Sequence, residues 1–256
     1  MTRITQAFDQ ATKPLLNVYF TAGYPELEST ISVLKSLEAA GTDLVELGMP
    51  YSDPLADGEM IQQSSSVALA NGMSIEKLFE QLAVARTEIS IPIILMGYLN
   101  PIMQFGAELF CEKCKEVGVD GRIIPDLPME LFDDEFQPIF DKHGLDFVFL
   151  ITPETPEARI REIDKRSTGF IYMVSSSSTT GGTGGLTAAQ LDYFQRIKEM
   201  KLQNRRMIGF GISDQKSFDQ ATEFAEGAIV GSAFIKQLGT DASSEAIKTF
   251  IQNIRP

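Results

Sequence analysis

Two carboxylates at the end of one apolar segment are the first candidates for chemistry. Glu46 lies inside the apolar run Asp43–Leu47, and Asp57 follows it in a segment that contains Pro50 and Pro54. Burial raises the pKa of a strand carboxyl group toward neutrality, which is the range that a general acid or base needs. Two carboxylates in different environments often divide the acid and base roles between them.

Each carboxylate also has a structural interpretation. Glu46 could pair with a lysine or arginine of a neighbouring element. Asp57 precedes Gly58, and an Asp-Gly step taken by itself usually caps a turn. Because the two prolines stiffen the segment between the acids, the two carboxylates taken together predict one site at a strand end.

Glycines cluster after three later apolar runs and predict a phosphate site. The chain reads Thr179-Thr180-Gly181-Gly182, then Gly209-Phe210-Gly211, then Gly231-Ser232-Ala233. Glycine lets backbone N–H groups approach phosphate oxygens, and a helix that opens at the last of these runs would attract the anion to its N-terminus. Any one glycine could merely end a strand. The chain has no GxxxxGK[ST] motif, which excludes a nucleotide P-loop.

Large apolar side chains fall at or just beyond the predicted strand ends. They are Phe20, Tyr98, Leu127, Tyr172 and Phe210. Each by itself is compatible with plain core packing, but as a set they suit a flat aromatic substrate that carries a phosphate tail.

Composition excludes several other classes of protein. The 256 residues include 22 Lys and Arg against 35 Asp and Glu, and the net charge of −13 repels nucleic acids and anionic membranes. Cys111 and Cys114 lack the further ligands of a zinc site, so we expect reduced core cysteines and no metal. The only histidine, His143, precedes Gly144 at a predicted helix end, which argues against a Ser-His-Asp triad.

The beginning of the chain carries no recognisable targeting signal. Residues 1–16 lack the apolar core of a signal peptide, and no apolar run is long enough to span a bilayer. We therefore expect a soluble, cytoplasmic protein.

A repeating pattern of strands and helices must position these candidates. Apolar, β-branched runs alternate with amphipathic stretches, as in parallel sheets that helices cover on both faces. The predicted strands are Leu16–Phe20, Asp43–Leu47, Ile91–Met96, Gly121–Ile124, Asp146–Ile151, Gly169–Val174, Arg206–Gly209 and Ala228–Val230. The predicted helices are Glu26–Ala40, Ile75–Thr87, Gln104–Val117, Glu130–Lys142, Pro156–Lys165, Ala188–Met200, Ser213–Ala225 and Ser243–Ile254, with a short one opening at 231–233.

Such βα units from end to end of the chain predict an α/β fold, a (β/α)8 TIM barrel that forms a single domain over residues 1–256. A doubly wound open sheet is the alternative, but the turn after the first strand, FTAGYP, is not a G-x-G-x-x-G motif. Long loops are expected at about 48–74, after strand two, and at about 175–186, after strand six. The second loop has the composition of a linker, but the βα pattern resumes beyond it, which favours a mobile lid.

The segment Val45–Gly58, which reads VELGMPYSDPLADG, closely resembles the signature of the tryptophan synthase α chain family. The agreement covers nearly the whole chain and extends to Tyr19–Pro25, Ile124–Pro128, Thr180-Gly181, Gly209–Ser213 and Gly231–Ala233. The resemblance implies a (β/α)8 barrel that cleaves indole-3-glycerol phosphate to indole and glyceraldehyde 3-phosphate. This is a retro-aldol lyase reaction of tryptophan biosynthesis.

The resemblance also implies roles for individual residues. Glu46 matches the family's general acid–base, and Asp57 matches the aspartate that interacts with the indole N–H. Tyr172 matches a residue that lines the indole pocket, and Thr180 one that helps to close it. The phosphate-binding amides match Gly181, Gly211, Gly231 and Ser232, with Phe210 beside them.

A second chain is part of what the resemblance implies. In the family the α chain carries no cofactor and passes indole to a β chain within an α2β2 complex, where pyridoxal phosphate joins indole to serine. The loops after strands two and six are expected to communicate with that partner. Ser176 stands in the second loop where many members have an arginine, a departure that bears on how the closed loop is tethered.

Two other functions fit part of the pattern. Another phosphate-binding barrel, such as a sugar-phosphate isomerase, would not need Glu46 and Asp57 together with an aromatic pocket. A non-catalytic subunit that only activates a β chain would need neither acid. The presence of both acids therefore favours the lyase over these alternatives.

Overall fold

A computed structural model of the chain describes residues 1–55, 57–175, 186–209 and 211–256. The strands are β1 Leu15–Thr21, β2 Leu44–Gly48, β3 Ile93–Met96, β4 Gly121–Ile123, β5 in two parts (Asp146–Phe147 and Phe149–Ile151), β6 Ile171–Val174, β7 Arg206–Gly209 and β8 Gly227–Val230. The helices are α1 Arg3–Gln10, α2 Ser29–Ala39, α3 Glu59–Ala70, α4 Ile75–Ala85, α5 Leu99–Phe105, α6 Ala107–Glu116, α7 Met129–Leu131, which continues into a π-helical turn Phe132–Phe136, α8 Gln137–His143, α9 Glu157–Arg166, α10 Ala188–Glu199, α11 Gln215–Thr222, α12 Ser232–Thr240 and α13 Ser244–Ile254.

The strands close into a parallel barrel. β1 pairs with both β2 and β8, and neighbouring strands pair in parallel in sequence order. The first part of β5 pairs with β4 and the second part with β6. Val148 joins the two parts, and its N–H donates to the carbonyl oxygen of Arg122 at 2.9 Å. The predicted (β/α)8 barrel is therefore confirmed.

Successive side chains of a strand point alternately into the barrel and toward the surrounding helices, so the core has an inner and an outer part. Side chains that point into the barrel form one buried cluster. The strands and the residues directly beside them contribute Leu15, Leu44, Ile94, Ile123, Val148, Phe170, Tyr172, Val174, Met207 and Ile229. Ile4 and Phe8 of α1 join this cluster, and the rings of Phe8 and Phe170 lie 6.0 Å apart. Helix α1, which the sequence analysis does not predict, thus covers the N-terminal end of the barrel.

Other stretches also differ from the sequence predictions. The expected loop at about 48–74 ends early, because α3 occupies Glu59–Ala70. Its buried residues are small, Ser64, Ser65 and Ala68, so the chain shows no stripe of large apolar residues there. The predicted helix Gln104–Val117 is divided between α5 and α6 at Gly106, whose φ of 95° does not fit an α-helix.

The two cysteines lie in the core as predicted. Cys111 and Cys114 of α6 are buried and unpaired, and burial raises the pKa of Cys114 to about 12. Beside them the buried guanidinium of Arg122 lies over the rings of Phe110 and Phe140, at 4.9 and 5.6 Å from their centroids. Two aromatic faces thus stabilise this cation.

The sole histidine also lies where the sequence predicts. His143 ends α8, and Gly144 follows in the left-handed conformation with φ 67°. Its Nε2 lies 2.8 Å from Oε1 of Glu108.

None of the helices in the described part of the chain combines the length and the apolar character that crossing a membrane requires.

A carboxylate at the N-terminal end of β4 connects several elements. Asp120 accepts hydrogen bonds from Arg3 Nη1 and Arg86 Nη2, both at 2.8 Å, and from the N–H of Ile93 at 2.9 Å. Its side chain is 4 % exposed. These bonds connect α1, the end of α4 and β3 at the face of the barrel that usually serves stability.

We expect Asp120→Ala to lower the free energy of unfolding by about 3 kcal/mol, because it leaves the half-buried Arg86 guanidinium without its carboxylate. Urea unfolding at neutral pH measures the change. The matched control is Glu88→Ala, which breaks an exposed ion pair with Lys35 and should cost less than about 1 kcal/mol. Equal losses in the two variants would contradict this role of Asp120.

Candidate active site

Glu46 places a carboxyl group inside the barrel. It lies on β2 between Leu44 and Gly48, and its side chain is fully buried. Asn17 Nδ2 donates to Oε1 of Glu46 at 2.7 Å, whereas Oε2 has no hydrogen-bond partner among the described residues. Burial raises the pKa of Glu46 to about 8, although the Asn17 hydrogen bond acts in the opposite direction. Glu46 therefore keeps its proton at neutral pH.

The alternative interpretation of Glu46 as half of an ion pair is wrong. In the described ranges, no lysine or arginine nitrogen lies within 4.0 Å of its carboxylate. An acidic group that is buried, unpaired and near neutral in pKa is typical of catalytic sites.

Asp57 supplies a second carboxyl group with a different environment. It lies between β2 and α3 and is half-buried, and its backbone carbonyl accepts from Gln62 Nε2 at 2.7 Å. Burial raises the pKa of Asp57 to about 6, while a hydrogen bond from the Tyr98 hydroxyl acts against that rise. Asp57 is thus mostly ionised at neutral pH, when Glu46 is mostly protonated.

Two buried tyrosines lie near both carboxyl groups. Tyr19 of β1 lies opposite Glu46 in the β1–β2 register, and Tyr172 lies on β6 across the barrel. The negative charges of Asp57 and Glu46 both act on Tyr19 and on Tyr172, and burial is the main cause that raises the pKa of each phenol. The structure therefore brings Glu46, Asp57, Tyr98 and Tyr172 together, and adds Tyr19.

Glycines make room for these two phenols. A Cβ atom at Gly48 would lie 2.2 Å from Oη of Tyr19, and one at Gly209 would lie 2.1 Å from Oη of Tyr172. Any side chain at either position would displace the ring. These glycines therefore do more than end their strands, since each admits a tyrosine hydroxyl at the C-terminal end of the barrel.

Phe20 does not belong to this group, contrary to the prediction that it lines the pocket. Its buried ring packs edge-on against Phe234 of α12, with centroids 6.4 Å apart. Alternation places Asn17 and Tyr19 inside the barrel and turns Phe20 toward the helices. A strand with apolar residues on both faces does not by itself reveal which residues face inward, so Tyr19 was missed. Asn17, a polar residue in that strand, was the available signal.

Of the other predicted site residues, Leu127 lines a separate cavity, and three lie outside the described part of the chain. Leu127 lines a cavity of about 350 Å³ beside the ends of β4 and β5, together with Phe149 and Leu150. Thr180, Gly181 and Phe210 lie outside the described residues, as does most of the predicted lid at 175–186.

The start of α12 lies next to Tyr19. Gly231 precedes the helix, and the first helical hydrogen bonds run from the N–H groups of Phe234 and Ile235 to its carbonyl oxygen. The N–H groups of Ser232 and Ala233 precede this ladder and point along the positive end of the helix. A Cβ atom on Gly231 would lie 3.7 Å from Cβ of Tyr19.

Gly211 contributes a second open stretch of backbone. Its φ is 81°, and a Cβ atom there would meet nothing within 4 Å. The exposed backbone at Gly211 and the start of α12 are therefore available to an anion at the C-terminal face, where barrels of this kind bind phosphate.

Comparisons with known proteins give one family. The family described as "Tryptophan synthase alpha chain" matches residues 6–255. A tryptophan synthase alpha chain of Flavobacterium johnsoniae is 52 % identical over 255 residues, which cover 100 % of both chains. The crystal structure of tryptophan synthase subunit alpha from Legionella pneumophila has a TM-score of 0.90 at 34 % identity, over 100 % of this chain and 97 % of that one. A mutant tryptophan synthase alpha-subunit from Pyrococcus furiosus has a TM-score of 0.85 at 36 % identity, over 94 % and 98 %.

We expect Glu46→Gln to stabilise the fold increasingly as the pH rises. The pKa of Glu46 rises from 4.5 to about 8 on folding, so between these values the unfolded chain releases a proton that the folded chain retains. Wild-type stability therefore falls across this window. Glutamine removes that loss, which reaches about 5 kcal/mol above pH 8.

Urea unfolding at pH 5, 7 and 8.5 measures this difference. The exposed Glu88→Gln is the control, and its difference from wild type should not grow over the same range. A constant difference between Glu46→Gln and wild type would contradict the high pKa of Glu46.

Proposed function

Because the chain belongs to the tryptophan synthase alpha chain family, which cleaves indole-3-glycerol phosphate to indole and glyceraldehyde 3-phosphate in tryptophan biosynthesis, we propose that Glu46 and Asp57 carry out this cleavage. The observation that carries the proposal is the buried Glu46 carboxyl group, with one oxygen held by Asn17 and the other without a partner among the described residues. An ionisable group in that state suits proton transfer to a bound substrate.

The proposed reaction uses the two acids in different protonation states. The Glu46 carboxyl group donates its proton to the indole carbon that bears the glycerol phosphate chain. The carboxylate of Asp57 stabilises the positive charge that develops on the ring N–H. Glu46, now ionised, takes the proton of the adjacent hydroxyl group as the carbon–carbon bond breaks. The bonding electrons return to the ring, so that indole leaves, the aldehyde forms and Glu46 regains its proton.

The pKa values support this division of roles. At neutral pH a carboxyl group with a pKa of about 8 is an acid, and one with a pKa of about 6 is an anion. Burial is the main cause of both shifts, and Asp57 is the less buried of the two. Tyr98 keeps Asp57 ionised by donating a hydrogen bond to it.

The phosphate is proposed to lie at the glycine-rich ends of the later strands. Support comes from the open backbone at Gly211 and from the N–H groups at Gly231 and Ser232. Thr180, Gly181 and Phe210 are proposed to complete the site on the strength of their match to the family. Binding energy from the phosphate would then orient the bond that breaks.

We propose that residues 1–256 form one barrel domain. We also propose that the protein works in the cytoplasm. Helix α13 packs on α2 and α12, and the guanidinium of Arg255 contacts Asp43 and the carbonyl oxygen of Pro14. The two free cysteines suit a reducing compartment.

Replacing either acid should abolish or strongly slow indole release. We expect Glu46→Gln to lower kcat by about 10³-fold and Asp57→Asn by about 10²-fold. An indole-release assay with indole-3-glycerol phosphate measures both. Asp53→Asn, an exposed acid of the same segment, is the control and should stay close to wild type. Unchanged kcat in Glu46→Gln would overturn the proposal.

Affinity for glycerol phosphate separates chemistry from binding. Glu46→Gln should bind this ligand nearly as well as wild type in calorimetry, since its carboxyl group does not touch the phosphate. Gly211→Asp should bind it at least about tenfold more weakly, because a side chain and a like charge enter the anion site. Equal losses of affinity in both variants would contradict separate phosphate and acid–base sites.

The name of the family implies a β chain as partner. We propose that the two chains form an α2β2 complex. In this complex the β chain holds pyridoxal phosphate and consumes the indole. Leu55, 81 % exposed in the segment after β2, offers an apolar contact near Asp57, and the loop after β6 is proposed to take part. The consequence of Ser176 for this loop lies outside the described residues.

Size-exclusion chromatography with multi-angle light scattering tests the assembly. The chain mixed with a β chain from a bacterial tryptophan synthase should elute as one α2β2 species and release indole faster than alone. Leu55→Asp should weaken the complex, whereas Val84→Asp, on the exposed face of α4, should not. Separate elution of the two wild-type chains would contradict the proposed partnership.

A further inference from the structure

Asn17, like Glu46, is a polar residue inside a largely apolar barrel interior. It lies on β1 with Leu15 and Tyr19 on the same face, and its side chain is fully buried. The amide nitrogen donates to Oε1 of Glu46 at 2.7 Å. The amide oxygen, Oδ1, has no hydrogen-bond partner in the part of the chain that the structure describes. The bond to Glu46 is thus the contact that accounts for a polar side chain at this position.

We propose that Asn17 is a positioning residue, which holds Oε1 of Glu46 so that Oε2 is the oxygen that exchanges protons with the substrate. This proposal rests on the proposed acid–base role of Glu46. Asn17 itself does not touch the reacting atoms.

The register of the strands supports this geometry. Asn17 pairs with Leu44 and Tyr19 pairs with Glu46, so the amide lies one inward-facing layer deeper than the carboxyl group. The amide therefore holds the carboxyl group from below. The terminal torsion of a glutamate is broad and nearly two-fold, so without such an anchor the two oxygens would exchange places. With it, the free oxygen stays toward the open end of the barrel.

Stability does not explain the residue. The buried amide oxygen without a partner costs free energy, and this cost offsets what the hydrogen bond to Glu46 contributes to the fold. A residue that packs poorly yet contacts the proposed catalytic acid is expected where function opposes stability. This predicts that removing the amide harms the reaction and not the fold.

The charges around Glu46 also agree with a positioning role for Asn17. The titratable groups that face Glu46 are Tyr19 of β1 and Tyr172 of β6, with Asp57 from the segment after β2 close to both phenols and Tyr98 bonded to Asp57. Each of these groups is neutral or negative. The Asn17 N–H lowers the pKa of Glu46, so we expect that pKa to rise above about 8 when the amide is removed.

The test is Asn17→Leu, read out by three measurements. Infrared titration of the free protein should show the Glu46 carboxyl band, identified by its absence in Glu46→Gln, persisting to higher pH than in wild type. The alkaline limb of kcat/KM should move up with it, because the reaction starts from protonated Glu46. We expect kcat to fall about 10- to 100-fold with KM little changed. The Tm should change little, because the loss of the donor to Glu46 is offset by the removal of the unpartnered amide oxygen.

Thr42→Val is the matched control, because Thr42 Oγ1 is also a buried atom without a partner among the described residues. It should change neither the titration nor kcat. Asn17→Val is the second variant if Asn17→Leu does not fold. A lower Tm with an unchanged Glu46 titration would overturn the proposal and assign Asn17 a structural role. Full activity in Glu46→Gln would instead overturn the proposed function, and the infrared titration would still report whether Asn17 acts on Glu46.

Discussion

The removal of one carboxyl group from water is the constraint on which the site depends. Glu46 sits inside a closed parallel barrel, where burial favours its protonated form. A neutral acid near pH 7 exists here because β2 turns every second residue inward and because the surrounding layer consists of aromatic and aliphatic side chains. The environment of Asp57, nearer the solvent, then gives the second acid a lower pKa and a different role.

The two ends of the barrel serve different purposes. At the N-terminal end, Asp120 is surrounded by donors and α1 covers the interior. Toward the C-terminal end, Glu46 leaves one oxygen without a partner among the described residues. The Asp120 carboxylate is thus satisfied where it holds the fold together, whereas Glu46 keeps one oxygen open where substrate would meet the chain.

The sequence predicted the strands and the barrel because short, mostly apolar runs alternate with amphipathic stretches along the chain. It did not predict which residues of a strand face inward, so Phe20 was expected in place of Tyr19. It missed α3, whose buried face consists of small residues. It placed Glu46 and Asp57 together because they share one strand end, whereas Asn17 meets Glu46 only through strand pairing. The roles of Thr180, Gly181 and Phe210 stay predictions.

The tyrosine hydroxyl groups seated over Gly48 and Gly209 limit how this pocket can be redesigned. Enlarging either glycine demands a smaller residue at its tyrosine partner, so a larger residue at position 48 or 209 is accepted only together with a smaller one at position 19 or 172, respectively. Conversely, trimming one phenol while retaining its glycine opens a gap the size of a benzene ring. Bulkier heteroaromatic substrates could be accommodated in that gap without altering either acid.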